Sequence, residues 1–314
     1  MQQDYQSLLD HIGSGKEWDM SRKRGGLRLL PPFGRQSAGR GDYVSVIDAL
    51  LAVEGYIRDI KQDYIYLVRG SLAVNLDLTA VMAAHLKSGA DVTAVCTPKT
   101  PEGTHHRFVT DENGRATQLL FRRSGPGPGY AALEAYIMSR EALLDLLERC
   151  DSAMNRRFHR DGLGGLMEAG GTINVYMHEG YAVNIADVTG YYEASMDMLD
   201  AKNRRELFPE DRPVHTKGRA DVSTYYGDGA VVKNCLVADG CFIEGELENC
   251  VIFRGVRIEQ GAVLKNCIIM QDTIIGPGAT LNYIISDKDV TVDGGVTLAG
   301  SPKLPLVVPK GSKI

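Results

Sequence analysis

The sequence lacks any apolar run that approaches the ~20 residues of a membrane-spanning helix. It shows no secretory signal peptide, because Met1-Gln2-Gln3-Asp4 is polar and acidic. An excess of basic charge is also missing, since 35 Lys and Arg stand against 40 Asp and Glu, for a formal net charge of −5. These absences give no reason to expect a membrane or a nucleic-acid partner, and we expect a cytoplasmic protein.

Cysteines are few, and no two are arranged as Cys-x-x-Cys among the six present. Three of them, Cys235, Cys250 and Cys267, fall at equivalent positions of a repeat. We interpret them as small packed side chains in a reducing compartment, rather than as parts of a disulfide or a zinc site.

Four related phrases fill much of the last third of the chain, beginning at Asn234, Asn249, Asn266 and Asn282 with spacings of 15, 17 and 16 residues. Repeats of this length with short β-branched runs are typical of a parallel β-helix. The Asn is expected at a bent corner, where it can bond the Asn of the next coil. The aliphatic residues expected inside the coils are Val237, Ile243, Ile252, Ile258, Leu264, Ile269, Ile275 and Leu281.

The chain length of 314 residues suits about two domains. Strands and helices alternate through residues 1–206, including the run strand, crossover helix, strand over 64–96, which predicts an α/β domain with a mixed sheet. Residues 207–219 are polar and proline-marked, as in a linker. Residues 220–314 then form the β-helix, which we expect to be a left-handed hexapeptide-repeat domain.

Four phrases occur in order along the chain, at Leu9–Asp19, Arg22–Pro32, Asp187–Leu199 and Asp239–Gly245. Together they resemble bacterial glucose-1-phosphate adenylyltransferase (ADP-glucose pyrophosphorylase), a family of nucleotidyltransferases. Within the family, the chain looks most like the regulatory-type subunit of Firmicutes, which is encoded beside a catalytic subunit in glycogen operons. The resemblance implies a Rossmann-like nucleotidyltransferase domain that is N-terminally incomplete, because the strand and Gly-rich loop that cradle the nucleoside triphosphate have no counterpart here.

The resemblance also implies two carboxylates that hold Mg²⁺ in catalytic members. Ser71, in the phrase Gly70-Ser71, stands where the first aspartate belongs, and Asp187 is the residual second carboxylate in an altered context. The family's Glu-Lys-Pro phrase is missing near 121–124, and its Gly-Thr-Ala-Asp-Ala phrase is reduced over 45–49. We therefore expect no catalytic residues, and no metal or cofactor for this chain alone.

Some residues carry two interpretations. Asp187 is either a leftover metal ligand or the cap of the following helix, and Asp77 is expected to cap a helix. The adjacent His105 and His106 lie in a Gly/Thr loop and are expected to be solvent-exposed. In the family, anionic effectors bind arginines between the domains. The resemblance thus makes Arg22, Arg24, Arg35 and Arg40 candidates for an effector site, against the alternative of a solvated basic face.

The function implied is a regulatory, non-catalytic subunit of glucose-1-phosphate adenylyltransferase in glycogen biosynthesis. Its partner would be a catalytic sister subunit in a heterotetramer, with a homo-oligomer as the other arrangement. One alternative is an active nucleotidyltransferase that forms ADP-glucose and pyrophosphate from ATP and glucose 1-phosphate. Another is a hexapeptide acyltransferase, but the β-helix shows no clear catalytic histidine, since His215 precedes its coils.

Overall fold

A computed structural model describes residues 5–22, 25–30, 45–99, 105–121, 127–154, 156–216 and 221–314. These residues divide into two compact units. The first holds the described residues up to Ala182 together with 214–216, and the second holds 183–213 and 221–314. Of the described helices, none is both long and apolar enough to cross a bilayer.

The first unit carries six α-helices in its described part, with a 3-10 helix at Lys16–Trp18 and a π-helix at Phe158–Gly164. The α-helices are α1 (Tyr5–Ile12), α2 (Val46–Ala52), α3 (Glu54–Asp59), α4 (Leu78–Ser88), α5 (Arg140–Ser152) and α6 (Gly165–Glu168). The strands are β1 (Tyr64–Val68), β2 (Leu72–Val74), β3 (Val92–Thr97), β4 (His106–Thr110), β5 (Ala116–Phe121), β6 (Tyr130–Ser139) and β7 (Ile173–Met177), and β8 (Ala182–Asn184) follows at the unit boundary.

One long strand, β6, organises the mixed sheet of this unit. It pairs antiparallel with β3 along one edge, and with β4 and then β1 along the other, while β7 pairs parallel with β3 and β5 pairs antiparallel with β4. The predicted mixed α/β sheet is confirmed. The predicted strand–helix–strand unit is present, but β1 and β3 are not neighbours, because β6 lies between them.

The core of the first unit lies between this sheet and α5, whose buried side chains are Leu143, Leu146, Leu147 and Cys150. Residues 46–59 form two helices, α2 and α3, because the backbone leaves the helical region at Val53, with φ −111° and ψ 12°. Ser45 caps α2 by accepting a hydrogen bond from the Asp48 amide.

The second unit begins with two short helices, α7 (Val188–Asp197) and α8 (Ala201–Leu207), which the sequence groups with the first domain. The predicted domain ranges therefore differ from these compact units in the placement of these helices, and as domain ranges they remain a prediction. The Tyr192 hydroxyl of α7 donates to the Asn266 carbonyl at 2.9 Å, and the Tyr192 ring packs on Ile268 and Ile285.

Residues 225–308 form the predicted parallel β-helix, with three faces of five strands each. The first face holds β9 (Tyr225–Tyr226), β12 (Phe242–Ile243), β15 (Arg257–Ile258), β18 (Ile274–Ile275) and β21 (Thr291–Val292). The second holds β10 (Val231–Lys233), β13 (Glu246–Glu248), β16 (Val263–Lys265), β19 (Thr280–Asn282) and β22 (Thr297–Ala299). The third holds β11 (Leu236–Val237), β14 (Val251–Ile252), β17 (Ile268–Ile269), β20 (Ile284–Ser286) and β23 (Leu306–Val308).

The inside of the β-helix is a stack of aliphatic side chains in register. Ile243, Ile258 and Ile275 pair in sequence along one face, and Leu247, Leu264 and Leu281 along the next, and all six are at most 1 % exposed. The other predicted inward residues are also buried except Val237, which is half-buried. Cys250 and Cys267 are buried in the same stack, and all six cysteines of the chain are free thiols.

A corner of each coil carries the predicted asparagine ladder. Asn234, Asn249 and Asn266 adopt left-handed φ values of 49°, 53° and 53°. Their side-chain amides donate upward from Asn234 to Asn249, from Asn249 to Asn266 and from Asn266 to Asn282, at 2.7, 3.3 and 3.1 Å. Short polar side chains tolerate this backbone region and can bond locally.

The fourth phrase is displaced by one residue from the predicted alignment. Ile268 pairs with Ile285, not with Ile284, and Lys265 pairs with Asn282. The left-handed corner is thus occupied by Tyr283, with φ 54°. The shared letters Asn-x-Ile-Ile favoured the wrong alignment, whereas burial sets the register: Ile284 fills the space that Cys267 fills one coil earlier.

Candidate functional site

The position expected to hold a catalytic aspartate is a tight turn. β1 ends at Val68, and the chain turns through Arg69-Gly70-Ser71 with the Leu72 amide donating to the Arg69 carbonyl at 3.2 Å. Ser71 is half-buried at the end of this turn. It offers a hydroxyl and no negative charge at the end of the strand.

Asp187 is the N-cap of α7. Its Oδ1 accepts a hydrogen bond from the Gly190 amide at 2.8 Å, and its backbone is extended, with φ −148°. Asp77 caps α4 in the same way, through the Ala80 amide at 2.9 Å, as predicted. Of the two interpretations of Asp187, the helix cap is the one that matches this hydrogen bond.

These donors do not fit the Mg²⁺ site that the family resemblance implies. Mg²⁺ is a hard cation that binding sites hold through carboxylates and phosphates. Of the two expected carboxylates, one is replaced by the neutral Ser71, and the other, Asp187, accepts a helix-cap hydrogen bond. Ser71 belongs to the first unit and Asp187 to the second.

The four arginines expected to bind an effector are only partly in the described residues. Arg22 is exposed, and its guanidinium forms an ion pair with Asp19. Arg24, Arg35 and Arg40 lie outside the described residues. An effector site at these four arginines therefore remains a prediction.

A different cluster of functional side chains lines a cavity of about 470 Å³ in the first unit. Its wall combines apolar groups with one cation, one carboxylate and three imidazoles. The lining residues are Val46, Leu67, Val68, Arg69, His105, His106, Phe121, Glu134, Tyr136, Phe158 and His159. A larger cavity of about 710 Å³ lies elsewhere in the unit and is bordered by the carboxylates of Asp91, Glu141, Asp145 and Glu148.

Strand pairing places Arg69 against Glu134. β1 runs antiparallel to β6 with Val68 opposite Ala135, and the Arg69 amide donates to the Glu134 carbonyl at 3.1 Å. Nη1 of Arg69 also donates to both carboxylate oxygens of Glu134, each at 2.9 Å. The pair lies at the cavity wall and leaves Arg69 partly exposed.

Glu134 sits on an irregularity of β6. Val95 pairs with Ala135 and Cys96 pairs with Ala132, so Leu133 and Glu134 have no partner on β3. Glu134 adopts a left-handed φ of 54° within this bulge. Such a conformation costs a non-glycine residue roughly 1–3 kcal/mol, and bulges commonly re-aim a side chain. Here the bulge coincides with the residue that places a carboxylate in the cavity.

Two imidazoles lie together beside this carboxylate. His106 is the first residue of β4 and is 2 % exposed, and its Nε2 is 3.0 Å from the Tyr136 hydroxyl. His159 lies on the π-helix, with its ring centroid 3.9 Å from that of His106. One ligand atom from each of His106, Glu134 and His159 lies within 4.8 Å of the others.

Burial keeps both imidazoles neutral. Desolvation is the main cause that lowers the pKa of His106 to about 3, with further lowering by His159, His105 and Arg69. Desolvation also lowers the pKa of His159, partly opposed by Glu134. Both rings are therefore uncharged at pH 7 and present lone pairs. Burial likewise raises the pKa of the Tyr136 hydroxyl.

The histidine pair corrects one prediction from the sequence. His105 is exposed as expected, whereas His106 is buried. His106 begins β4, which pairs with β5 on one side and β6 on the other. His159 is more than fifty residues away in the sequence, and the fold brings its ring against that of His106. The adjacent residues His105 and His106 in the sequence do not indicate this contact.

Comparison with known proteins places the chain among its relatives. A family described as "GlmU-like, C-terminal hexapeptide" matches residues 222–303. The glycogen biosynthesis protein GlgD of Bacillus subtilis (strain 168) is 33% identical over 266 residues, which cover 83% of this chain and 66% of that protein. The glucose-1-phosphate adenylyltransferase of Geobacillus stearothermophilus is 29% identical over 267 residues, with 83% and 68% covered. That of Clostridium novyi (strain NT) is 26% identical over 262 residues, with 82% and 68% covered.

The chain belongs to the glucose-1-phosphate adenylyltransferase family. It spans about two thirds of the length of the curated relatives that it matches. One of these relatives is a glycogen biosynthesis protein, and the others are named for the adenylyltransferase activity. The hexapeptide match, over residues 222–303, falls on the β-helix.

Proposed function

We propose that this chain is a regulatory subunit of glucose-1-phosphate adenylyltransferase in glycogen biosynthesis, which does not itself catalyse. It would act in the cytoplasm by binding a catalytic sister chain, in a heterotetramer or another oligomer. The observation that carries this proposal is Ser71, the neutral residue at the strand end where a catalytic member has a carboxylate. The similarity to a glycogen biosynthesis protein supports the pathway.

The chemistry of nucleotidyl transfer makes this replacement severe. Transfer from ATP develops negative charge on the α-phosphate and on the departing pyrophosphate, and a carboxylate-held divalent cation neutralises it. A serine hydroxyl supplies no charge to anchor that cation. Each ~1.4 kcal/mol of lost transition-state stabilisation lowers the rate about tenfold, so the loss of a metal anchor costs several powers of ten.

The contact of Asp187 supports the same proposal. A residual metal ligand would direct its carboxylate oxygens toward substrate, whereas Oδ1 of Asp187 accepts from the Gly190 amide. This capping role is structural and applies to any residue with a short polar side chain. The carboxylate then has a reason to be present that is independent of catalysis.

An active nucleotidyltransferase is the second candidate, and it is favoured by the several relatives that are named glucose-1-phosphate adenylyltransferase at 24–29% identity. Those relatives form the same family, and family membership alone does not separate a catalytic chain from a regulatory one. The distinction depends on turnover.

The test measures ADP-glucose synthesis by the purified chain with ATP, glucose 1-phosphate and Mg²⁺, beside a catalytic relative under the same conditions. We expect negligible turnover by the chain alone. Ser71→Asp is the matched variant, and Ser71→Ala is its control for any effect on folding. Turnover within about tenfold of that of the catalytic relative would contradict the proposal and favour an active nucleotidyltransferase.

A further inference from the structure

We propose that His106, Glu134 and His159 form a binding site for a divalent transition-metal ion of the zinc class, with one coordination position open to the cavity. Neither Ser71 nor Asp187 is one of its three ligands, and the site does not depend on the regulatory role proposed above. No residue of this triad belongs to the phrases that relate the chain to its family.

The chemical type of the three ligands selects the ion. Two neutral imidazole nitrogens and one carboxylate oxygen suit Zn²⁺ and its neighbours, whereas Mg²⁺ and Ca²⁺ prefer oxygen ligands alone. Three protein ligands with a fourth position free is the arrangement of zinc sites that also bind water or a substrate. The cavity of about 470 Å³ provides the room for that fourth ligand.

The spacing of the ligand atoms allows closure on an ion. They lie within 4.8 Å of one another, while ligands of a tetrahedral zinc ion with 2.0–2.1 Å bonds lie about 3.4 Å apart. A contraction of up to about 1.4 Å is therefore needed. His106 is fully buried and fixed, whereas Glu134 and His159 are only partly buried and can supply this movement.

Tyr136 orients the fixed ligand. In the tautomer in which Nε2 of His106 donates to the Tyr136 hydroxyl, at 3.0 Å, Nδ1 keeps its lone pair for the ion. Metal-binding histidines usually donate their second ring nitrogen to an oxygen in this way, which fixes the ring and its tautomer. Tyr136 is thus a positioning residue.

Arg69 is the group that competes with the ion. Its guanidinium bonds both oxygens of Glu134 and adds positive charge beside the cluster. The side chain is partly exposed, so it can leave toward solvent when the carboxylate turns to the metal.

The bulge at Glu134 is consistent with this assignment. A regular strand would direct consecutive side chains to opposite faces and would not strain a glutamate at φ 54°. Observed strain of this kind at a non-glycine residue is commonly found at ligand sites.

The experiment loads the full chain with Zn²⁺, removes excess by dialysis and measures bound metal, with affinity from titration calorimetry. Co²⁺ loading followed by visible absorption reports nitrogen and oxygen coordination. We expect about one Zn²⁺ per chain. Glu134→Gln and His159→Gln should each weaken binding at least about tenfold. Circular dichroism checks that each variant is folded. If His159→Gln is unfolded, the test rests on Glu134→Gln, because Glu134 is only partly buried.

Two matched controls separate this site from adventitious binding. His11→Gln removes an exposed imidazole distant in sequence, and Cys235→Ser removes the one cysteine that is not fully buried. Both should keep the wild-type stoichiometry and affinity. Absence of stoichiometric Zn²⁺ from the wild type would overturn the proposal. Equal binding by Glu134→Gln and wild type, or loss of binding in Cys235→Ser, would overturn it as well.

Arg69→Gln gives a result of opposite sign. If the guanidinium and the metal compete for the same carboxylate, this variant should bind Zn²⁺ more tightly than the wild type. A purely structural ion pair predicts no such gain, because its loss would only loosen the site. Unchanged or weaker binding in Arg69→Gln would contradict the geometry from which the site is inferred.

Discussion

The β-helix and the α/β unit differ in how each produces a defined position for a side chain. In the β-helix, one coil repeats the next, so Ile243, Ile258 and Ile275 stack in register and the corner asparagines bond one another. In the α/β unit, the side chains of the cavity come from a strand start, a bulge and a π-helix, which are three separate departures from regular structure. Repetition builds the stable element, and irregularity builds the cluster of functional groups.

The most severe change is expected in the repeating region. Ile258→Asp puts a carboxylate in a dry stack, where Ile258 is 1 % exposed. An unpaired buried charge should cost more than about 4 kcal/mol and unfold the β-helix, as followed by thermal denaturation. Gln260→Asp, which adds the same charge at an exposed position two residues away, should leave the transition temperature nearly unchanged. Similar melting of both variants would contradict the stacked core.

Acid should act mainly on the irregular region. The folded pKa of His106, about 3, is below the unfolded value of 6.5, so the unfolded chain binds the proton first as pH falls. The stability is therefore fully present above pH 6.5 and is lost as pH falls toward 3, with a slope of up to about 1.4 kcal/mol per pH unit for each such histidine.

Urea titrations between pH 7 and pH 4 measure this slope. The variant His106→Gln should have a shallower dependence than the wild type, and His159→Gln should shift in the same direction because the pKa of His159 is also lowered. His11→Gln serves as the control with an exposed imidazole. Parallel curves for wild type and His106→Gln would show that His106 is not held neutral by the fold.

At the Glu134 bulge, a glycine should stabilise the fold, whereas a glycine within a strand usually destabilises it. Glu134→Gln and Glu134→Gly both remove the carboxylate, but glycine adopts φ 54° without a steric penalty. We expect the glycine variant to be the more stable by up to about 1 kcal/mol in urea unfolding, which is the left-handed penalty less the extra chain entropy of glycine. Gln118→Gly, at an exposed position of β5 whose φ is not positive, should instead destabilise. Destabilisation of equal size at both positions would remove the argument for strain.

The smallest effect concerns Asp187 in the second unit. Asp187→Ala should cost about 1 kcal/mol by removing the cap to the Gly190 amide, whereas Asp187→Ser should retain most of the stability. Both variants remove the carboxylate, so the difference between them isolates the capping role. Equal loss in both would mean that the charge, rather than the hydrogen bond, is what the position requires.

The regular features could be predicted from the sequence because each is a local pattern. The parallel β-helix, its inward aliphatic residues, the asparagine ladder, the crossover helix α4 and the mixed sheet all follow from periodicity or from caps such as Asp77. The one-residue displacement at Tyr283 could not be read from letters alone, because burial of Ile284 decides it. Burial depends on the whole coil.

The cavity cluster could not be predicted because its members are not adjacent in sequence and have no shared spacing. His106 was expected to be exposed together with His105, and no pattern in the sequence singled out Glu134. They lie close together because of the strand order around β6 and a bulge that no residue type in the sequence indicates. The substitution at Ser71, by contrast, is a prediction from the family resemblance, which compares one position with one expected residue.

The central claim is that this chain changes the response of a catalytic sister subunit rather than supplying an active site. The most direct measurement adds the chain in increasing amounts to a catalytic glucose-1-phosphate adenylyltransferase and titrates sugar phosphates, phosphate and nucleotides, with co-elution followed on a sizing column. We predict co-elution and a shift in effector constants of about 5–150-fold, which corresponds to coupling of 1–3 kcal/mol. Arg22→Ala, Arg35→Ala and Arg40→Ala should weaken the shift without abolishing co-elution. Unchanged rates and effector constants without co-elution would contradict the account.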